Sequence, residues 1–127
     1  MISRAEKVAR FRALHEGDRA FVIPNPWDRG SAILLEDAGF AALATTSAGF
    51  AFSQGQLDWV GEASRESAMA HASELVNATP LPVNADLEDG FGAGPETVAE
   101  TVRLAGEAGL AGCTIEDTTG DPDRPIH

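Results

Sequence analysis

Four short runs of apolar residues, none of them alternating with polar residues, constrain the fold of this chain more than any other feature. They cover residues 20–24, 40–46, 81–86 and 111–116, and segments with helical spacing separate them. Such runs are typical of strands covered on both faces, as in a parallel sheet whose strands are joined by right-handed helical crossovers. We therefore predict an α/β fold of repeated βα units, with adjacent parallel strands in chain order.

The segments between these runs carry start and stop signals for helices. Ser3 and Glu6 form a capping box, and Asp28 stands where a second helix would need its N-cap. Residues 46–61 have no clear period and are interpreted as a functional loop. The predicted helices cover residues 4–16, the segment from Asp28 to Gly39, residues 62–77, and the segment from Pro95 to about residue 107. The buried side of the last helix is predicted to carry Val98, Val102 and Ala105.

One short pattern recurs along the chain. Residues 37–42 read Asp-Ala-Gly-Phe-Ala-Ala and residues 107–112 read Glu-Ala-Gly-Leu-Ala-Gly, an offset of 70 residues (107 minus 37). Two βα units of about 35 residues each fit this offset, and such recurrence marks repeated architecture. A complete (β/α)8 barrel needs eight strands and about 250 residues. The strand pattern itself fits a barrel or an open α/β sheet, and these 127 residues have half the length of a complete barrel.

Composition narrows the possible classes of function. The chain is 43% hydrophobic and 23% charged, as in an ordinary globular domain. Its net charge of −11 divides into −2 for residues 1–64 (6 bases, 8 acids) and −9 for residues 65–127 (3 bases, 12 acids), so nucleic acid is not an expected partner. No apolar stretch approaches the roughly 18 residues of a membrane span. No membrane partner is expected, and a cytoplasmic location is predicted.

Acidic side chains stand where the third and fourth apolar runs end. Asp86, Glu88 and Asp89 close the third run and are followed by two glycines, while Glu116 and Asp117 close the fourth. The carboxyl ends of parallel strands meet at one edge of a sheet, which is where α/β proteins bind their ligands. Carboxylate oxygens are the ligands that hard cations prefer. The pattern therefore predicts a divalent-cation site at this edge.

Other candidate residues have ordinary explanations. His15 and His71 lie on predicted helices and are expected at the surface, and neither has the spacing of a metal ligand. Cys113, the single cysteine, is expected to be a small buried apolar residue. Asp28 is expected to cap its helix and Trp27 to pack at the end of the first strand, although both could also contact a substrate there.

Four blocks of sequence resemble the isocitrate lyase and phosphoenolpyruvate mutase superfamily. They are Pro-Asn-Pro-Trp-Asp-Arg-Gly-Ser-Ala at residues 24–32, Thr-Thr-Ser-Ala-Gly at 45–49, Ala-Asp-Leu-Glu-Asp-Gly-Phe-Gly at 85–92 and Thr-Ile-Glu-Asp at 114–117. The blocks occur in the family's order and in register with the predicted strand ends. The resemblance runs from about Phe11 to the last residue.

The resemblance implies a (β/α)8 barrel that uses Mg²⁺ (or Mn²⁺) to hold a 2-oxo or 2-hydroxy acid and to stabilise a pyruvate enolate. The implied metal residues are Asp86, Glu88, Glu116 and Asp58, and the implied substrate-binding residues are Ser47, Ala48 and Gly49. Mg²⁺ keeps several waters and takes one or two direct carboxylates. Asp86 is therefore expected to bind the ion directly and the other three carboxylates to act through water. Glu88 replaces an aspartate that is usual in the family.

Two further departures limit what the resemblance implies. The isocitrate and methylisocitrate lyases carry a Lys-Lys/Arg-Cys-Gly-His loop after strand four, whereas residues 117–127 contain no cysteine. A Cys-dependent lyase of the isocitrate type is therefore not expected, and the general acid or base is not identified. The last four βα units, which in the family hold the distal part of the substrate, are absent from these 127 residues. The resemblance therefore implies one partial domain over residues 1–127, the first half of a TIM (β/α)8 barrel preceded by an N-terminal helix.

The predicted function is that of a Mg-dependent lyase-like enzyme acting on a small carboxylate. Phosphonate-forming P–C mutase chemistry is the enzymatic alternative, and a non-catalytic half-barrel or assembly module is the alternative from another class. A half-barrel leaves sheet edges and an inner face uncovered, so a homo-oligomer is expected. The inner face is predicted to include Val22, Leu43, Val83 and Thr114, or their neighbours.

Overall fold

In the computed structural model, which describes residues 2–58, 63–118 and 123, three parallel strands alternate with helices. The strands lie side by side in chain order, with Leu43 opposite Val83 and Ala85 opposite Cys113. This confirms the predicted α/β class and the parallel order of the last three apolar runs. The elements are α1 (Arg4–His15), α2 (Arg29–Asp37), β1 (Leu43–Ala44), α3 (Ser47–Ser53), α4 (Arg65–Ala78), β2 (Val83–Asp86), α5 (Pro95–Glu107) and β3 (Gly112–Thr114).

The first apolar run, residues 20–24, lies beside β1 but does not form a regular strand. The Ala44 amide donates to the Pro24 carbonyl at 3.0 Å, and the Asn25 side-chain amide donates to the Ala44 carbonyl at 3.1 Å. Pro24 and Pro26 have no N–H, so the backbone here cannot continue a ladder and the Asn25 side chain supplies the link instead. The prediction that this run lies next to the second run is confirmed, and the prediction that it forms a strand was wrong.

The core lies between the sheet and helices α2, α4 and α5. Leu43 and Val83 are fully buried against these helices, so the prediction that they face the barrel interior was wrong. The opposite face of β2 and β3 carries Asn84 and Thr114, which line one cavity together with Ile23 of the first apolar run. Val22, which was predicted on this face, points to the other side and is 67% exposed. Residues alternate across a strand, and here the large aliphatic ones take the helix side. The barrel-interior face is therefore mostly small and polar.

Helix α1 attaches to the amino-terminal end of the sheet, opposite the acidic strand ends. The buried Lys7 ammonium donates to the carbonyls of Val76 at 3.0 Å and Thr79 at 2.9 Å, which satisfies the end of α4. Burial lowers the pKa of Lys7, and the charge of Glu36 opposes that shift. Arg4 donates to the Leu110 carbonyl at 3.3 Å. Helix α1 therefore holds the loops that lead into β2 and β3.

Two helical predictions required correction. The predicted loop over residues 46–61 contains α3, which begins after the N-cap Thr46; residues 59–61 lie outside the described part of the chain. On α5, Val102 is 45% exposed, whereas Thr101 is fully buried and donates to the Gly90 carbonyl at 2.7 Å. The hydrogen bond allows a polar residue to take the buried position, which an apolar pattern cannot show. Among the described residues, no helix is long and apolar enough to cross a bilayer.

Candidate functional site

Asp86, the last residue of β2, has its carboxylate fixed by the backbone on both sides. One oxygen accepts the Ser47 amide at 3.0 Å, and the other accepts the Glu88 amide at 3.2 Å. The Asp86 amide itself donates to the Thr45 hydroxyl at 2.9 Å. Each carboxylate oxygen has a second lone pair beyond these bonds. Asp86 is therefore oriented in advance and can still bind a cation.

Glu88 follows on a tight loop whose backbone is unusual. Its φ of 49° lies in the left-handed region, as does that of Phe91 at 63°, and such conformations in non-glycine residues cluster at functional sites. Asp89 uses one oxygen within the loop, accepting the Phe91 amide at 2.8 Å. The Glu88 carbonyl accepts the Glu116 amide at 2.7 Å, which joins this loop to the chain after β3.

The four predicted metal residues lie within electrostatic reach of one another. Burial raises the pKa of Glu88, and the charges of Asp58, Asp86, Asp89 and Glu116 raise it further. Burial also raises the pKa of Glu116, helped by the charges of Asp86, Asp58 and Asp117. Mutual repulsion of this kind means that the negative charge at this edge is not neutralised locally.

The donor set suits a hard cation, although the side chains are not drawn together tightly. Within residues 2–58, 63–118 and 123, no three acidic, histidine or cysteine side chains converge closely enough to form a preformed metal cage. The ion pairs formed between described residues are those of Arg103 with Glu100 and Glu107, far from this edge. Mg²⁺ takes few direct protein ligands and keeps waters. One oriented aspartate surrounded by unneutralised carboxylates fits that preference.

The predicted substrate-binding residues form the first turn of α3. The Thr46 side chain caps this turn by accepting the Gly49 amide at 3.1 Å, and the Ser47 amide is bound to Asp86. In the part of the chain that the structure describes, the Ala48 amide has no acceptor. A Cβ on Gly49 would lie 2.5 Å from the Thr46 methyl group, so this close turn requires glycine. The structure thus places Ser47, Ala48 and Gly49 directly beside Asp86.

His71 was predicted at the surface, and this was wrong. Its exposed fraction is 8%, its Nε2 lies 2.9 Å from the Trp27 carbonyl, and its ring stacks on Phe50 with centroids 4.2 Å apart. A cavity of about 10 Å³ lies here, with Thr45, Phe50, His71, Asp86, Glu88 and Phe91 among its lining residues. The sequence did carry a signal, because residue 71 shares the buried side of α4 with Ala72 and Leu75.

The remaining candidates take structural positions. Asp28 caps α2 as predicted, accepting the Ser31 amide at 2.7 Å, and the bonds from Ser31 lower the pKa of Asp28. The Trp27 side chain is 52% exposed rather than packed at the strand end. Cys113 is half-buried on β3, and burial raises the pKa of its thiol, so it has the character of an unreactive thiol.

Comparison with known proteins identifies the family to which this arrangement belongs. The family model described as phosphoenolpyruvate phosphomutase matches residues 11–127. The 2-methylisocitrate lyase of Halalkalibacterium halodurans is 36% identical over 115 residues, which is 91% of this chain and 38% of that enzyme. The chain thus spans about two fifths of this relative's length.

Solved structures share the fold, and one of them does so at higher identity. A protein of Burkholderia cenocepacia J2315 described as a lyase/mutase is 57% identical, with a TM-score of 0.93 over 98% of this chain and 44% of that protein. Oxaloacetate acetylhydrolase, in complex with its product oxalate, is 30% identical with a TM-score of 0.85 over 95% of this chain and 43% of the enzyme. The fold described here is therefore part of a TIM barrel, and the chain belongs to the phosphoenolpyruvate mutase and isocitrate lyase superfamily.

Proposed function

We propose that this chain carries the metal-binding and carboxylate-binding part of a Mg²⁺-dependent lyase. The substrate class is a small 2-oxo or 2-hydroxy carboxylate, and the reaction cleaves or forms a C–C bond through an enolate of the pyruvate type. The observation that carries the proposal is the pairing of an oriented Asp86 with the adjacent Ser47–Gly49 turn, among carboxylates that repel one another. Relatives that act on small di- and tricarboxylates support the substrate class.

In this proposal the protein's own residues bind and orient. Asp86 would hold Mg²⁺ or Mn²⁺ directly, and Glu88, Glu116 and Asp58 would hold it through its waters. The bound ion would supply positive charge where the enolate oxygen of the substrate develops. The turn at residues 47–49 would receive the substrate carboxylate through its backbone amides, with the amide of Ala48 available in the described structure.

The experiment that tests this proposal is binding of Mn²⁺ to the 127-residue chain, followed by paramagnetic resonance and calorimetry. Asp86→Asn removes the charge of the proposed direct ligand, and we expect it to weaken Mn²⁺ binding by at least about tenfold, the equivalent of about 1.4 kcal/mol. Asp89→Asn is the matched control, because it removes a charge from the same loop and keeps an acceptor for the Phe91 amide. We expect this control to change the affinity by less than about threefold.

Equal losses of Mn²⁺ affinity in Asp86→Asn and Asp89→Asn would mean that the ion is attracted by the overall negative charge of this edge and that Asp86 is not a direct ligand. Absence of Mn²⁺ binding in the unmodified chain would favour the non-catalytic alternative. Oxalate is the substrate probe, because its planar dianion resembles the enolate of a 2-oxo acid. We expect oxalate to bind when Mn²⁺ is present and to bind more weakly when it is not.

Phosphonate-forming mutase chemistry remains the second candidate, favoured by the match to the phosphoenolpyruvate phosphomutase family model. Both reactions pass through the same type of enolate, so the described half of the site serves either one. Phosphonopyruvate separates them. Binding or turnover of phosphonopyruvate in preference to 2-hydroxy dicarboxylates would support the mutase, and the reverse order would support the lyase.

A further inference from the structure

His71 occupies a place that packing alone does not explain. It is 8% exposed on a helix whose other buried residues are Ala72 and Leu75. Burying an imidazole is costly unless its polar atoms are hydrogen-bonded, and an aliphatic residue would avoid that cost. Two properties of the His71 ring therefore matter at this position: the ring is flat, and it can donate a hydrogen bond.

The hydrogen bond fixes which nitrogen of His71 carries the proton. Nε2 lies 2.9 Å from the Trp27 carbonyl oxygen, which can only accept, so Nε2 carries a proton and is the donor. The Trp27 amide donates to the Ser31 hydroxyl at 3.1 Å. The backbone of Trp27 is thus held on both sides, by His71 from α4 and by Ser31 from α2.

The ring of His71 reaches the other half of the site. It stacks on Phe50 of α3 with an angle of 17° between the ring planes. The Phe50 amide donates to the Thr46 carbonyl at 2.9 Å, which closes the turn that contains residues 47–49. The Ser47 amide in turn binds Asp86. A continuous line of contacts therefore joins His71 to the turn and to the aspartate.

We propose that His71 is a positioning residue for the carboxylate-binding turn. By stacking on Phe50 and donating to the Trp27 carbonyl, it sets where the amides at residues 47–49 stand relative to Asp86. The proposal rests on the proposed function for its use in ligand binding. Its structural part, the link from His71 to the turn, holds without any ligand.

The ligand-free test is nuclear magnetic resonance of the 127-residue chain and three variants. His71→Phe keeps a stacking ring and removes the donor, whereas His71→Gln supplies an amide donor near the position of Nε2. His15→Gln is the matched control, since His15 is exposed on α1 and bonds only the Phe11 carbonyl of its own helix among the described residues. We expect His71→Phe to shift the amide resonances of residues 27 and 47–49 and to speed their hydrogen exchange.

We expect the amide resonances of residues 27 and 47–49 to stay closer to their original positions in His71→Gln and to be unchanged in His15→Gln. Nitrogen-15 shifts of the unmodified protein provide a check that needs no variant to fold: they should show the Nε2–H tautomer. Finding the Nδ1–H tautomer, or unaltered amides at residues 47–49 in His71→Phe, would overturn the proposal.

The second test measures ligand binding in the same variants with Mn²⁺ present at saturation. We expect His71→Phe to weaken oxalate binding by about fivefold to tenfold, which lies in the upper part of the range of about twofold to twelvefold for one lost hydrogen bond. Mn²⁺ affinity should change by less than about threefold, because Asp86 stays in place. His71→Gln should recover most of the loss in oxalate affinity.

The outcomes separate the two proposals. If oxalate binds the unmodified chain and His71→Phe binds it equally well, the role of His71 in ligand binding is wrong while the proposed function stands. If Mn²⁺ and oxalate fail to bind the unmodified chain, the proposed function is wrong and the resonance data alone decide whether His71 positions the turn. Equal weakening in His15→Gln would show a general loss of stability and would also overturn the proposal.

Discussion

At Glu88, an unfavourable backbone conformation and an unfavourable charge coincide. Its φ of 49° costs conformational energy, and burial beside the charges of Asp58 and Asp86 raises its pKa. Both costs would be offset by a cation, because positive charge favours the ionised carboxylate. The loop therefore has the properties of a site formed for a ligand rather than for stability.

The raised pKa values of Glu88 and Glu116 predict how stability depends on pH without metal. A carboxyl whose folded pKa lies above its unfolded value stabilises the fold below the unfolded pKa, and the stability is lost as pH rises through the folded pKa. We therefore expect Glu88→Gln to be more stable than the original chain at neutral pH in chelator. Thermal unfolding measured between acidic and neutral pH checks this.

Saturating Mg²⁺ should reverse that order, because the ion binds the ionised form of Glu88 and stabilises the folded state by mass action. Glu100→Gln is the control of opposite sign, since its bond to Arg103 lowers the pKa of Glu100. A chain that loses stability on removal of the Glu88 charge in chelator would contradict the expected repulsion.

The sequence predicted where the candidate residues lie better than it predicted their contacts. Asp86 and Glu116 could be placed because apolar runs end at them, and parallel strands bring such ends together. The bond from the Ser47 amide to Asp86 could not be predicted, since it depends on where α3 begins. His71 was missed because polarity was given more weight than its position on the buried side of α4.

At the scale of elements, the turn from β2 into α5 depends on Gly90. Its φ is 89°, and a Cβ there would lie 2.9 Å from the Val98 methyl group on α5. Gly39 is a matched position, with the same φ of 89° and nothing within 4 Å of an added Cβ. The pair separates the cost of the backbone conformation from the cost of the close approach.

We expect Gly39→Ala to lower the free energy of unfolding by about 1–2 kcal/mol, the cost of a left-handed conformation for an L-residue. Gly90→Ala should cost about 1–3 kcal/mol more than that, because added methyl groups strain a packed contact. Urea denaturation measures both values. Equal losses at the two positions would show that α5 moves away from the loop without cost.

Prediction from the sequence failed at elements whose structure depends on a single hydrogen bond. Residues 20–24 have the composition of a strand, but prolines at 24 and 26 remove the donors that a ladder needs. Helix α5 buries Thr101 rather than Val102 because the hydroxyl finds the Gly90 carbonyl. Apolar periodicity predicts which face of a helix or strand packs against the core. It does not predict where a buried polar group finds a hydrogen-bond partner.

For the molecule as a whole, the distribution of apolar residues between the two faces of the sheet determines how much free energy is lost when the barrel interior is uncovered. Leu43 and Val83 lie under the helices, so the interior face carries mainly small and polar groups such as Asn84, with the half-buried Ile23 beside them. Other large apolar side chains are exposed at the carboxyl-terminal rim and on outer helices: Trp27, Leu34, Phe52 and Leu57 are each more than half exposed. We therefore expect contacts between copies to involve the rim and the open strand edge more than the interior.

The isolated 127-residue chain is expected to self-associate in solution. In the described sheet β3 pairs with β2 alone, and an unpaired strand edge together with exposed aliphatic and aromatic side chains favours contact between copies. Sedimentation velocity over a range of concentrations measures this, and an apolar fluorescent dye reports the exposed surface. Phe52→Ser and Leu57→Ser should reduce both signals, whereas Ile23→Ser should reduce them less, because Ile23 is half-buried on the face that it shares with Asn84 and Thr114. A monomer at every concentration with no dye bound would contradict the expectation. A larger effect from Ile23→Ser than from the two rim variants would show that the interior face is the one that associates.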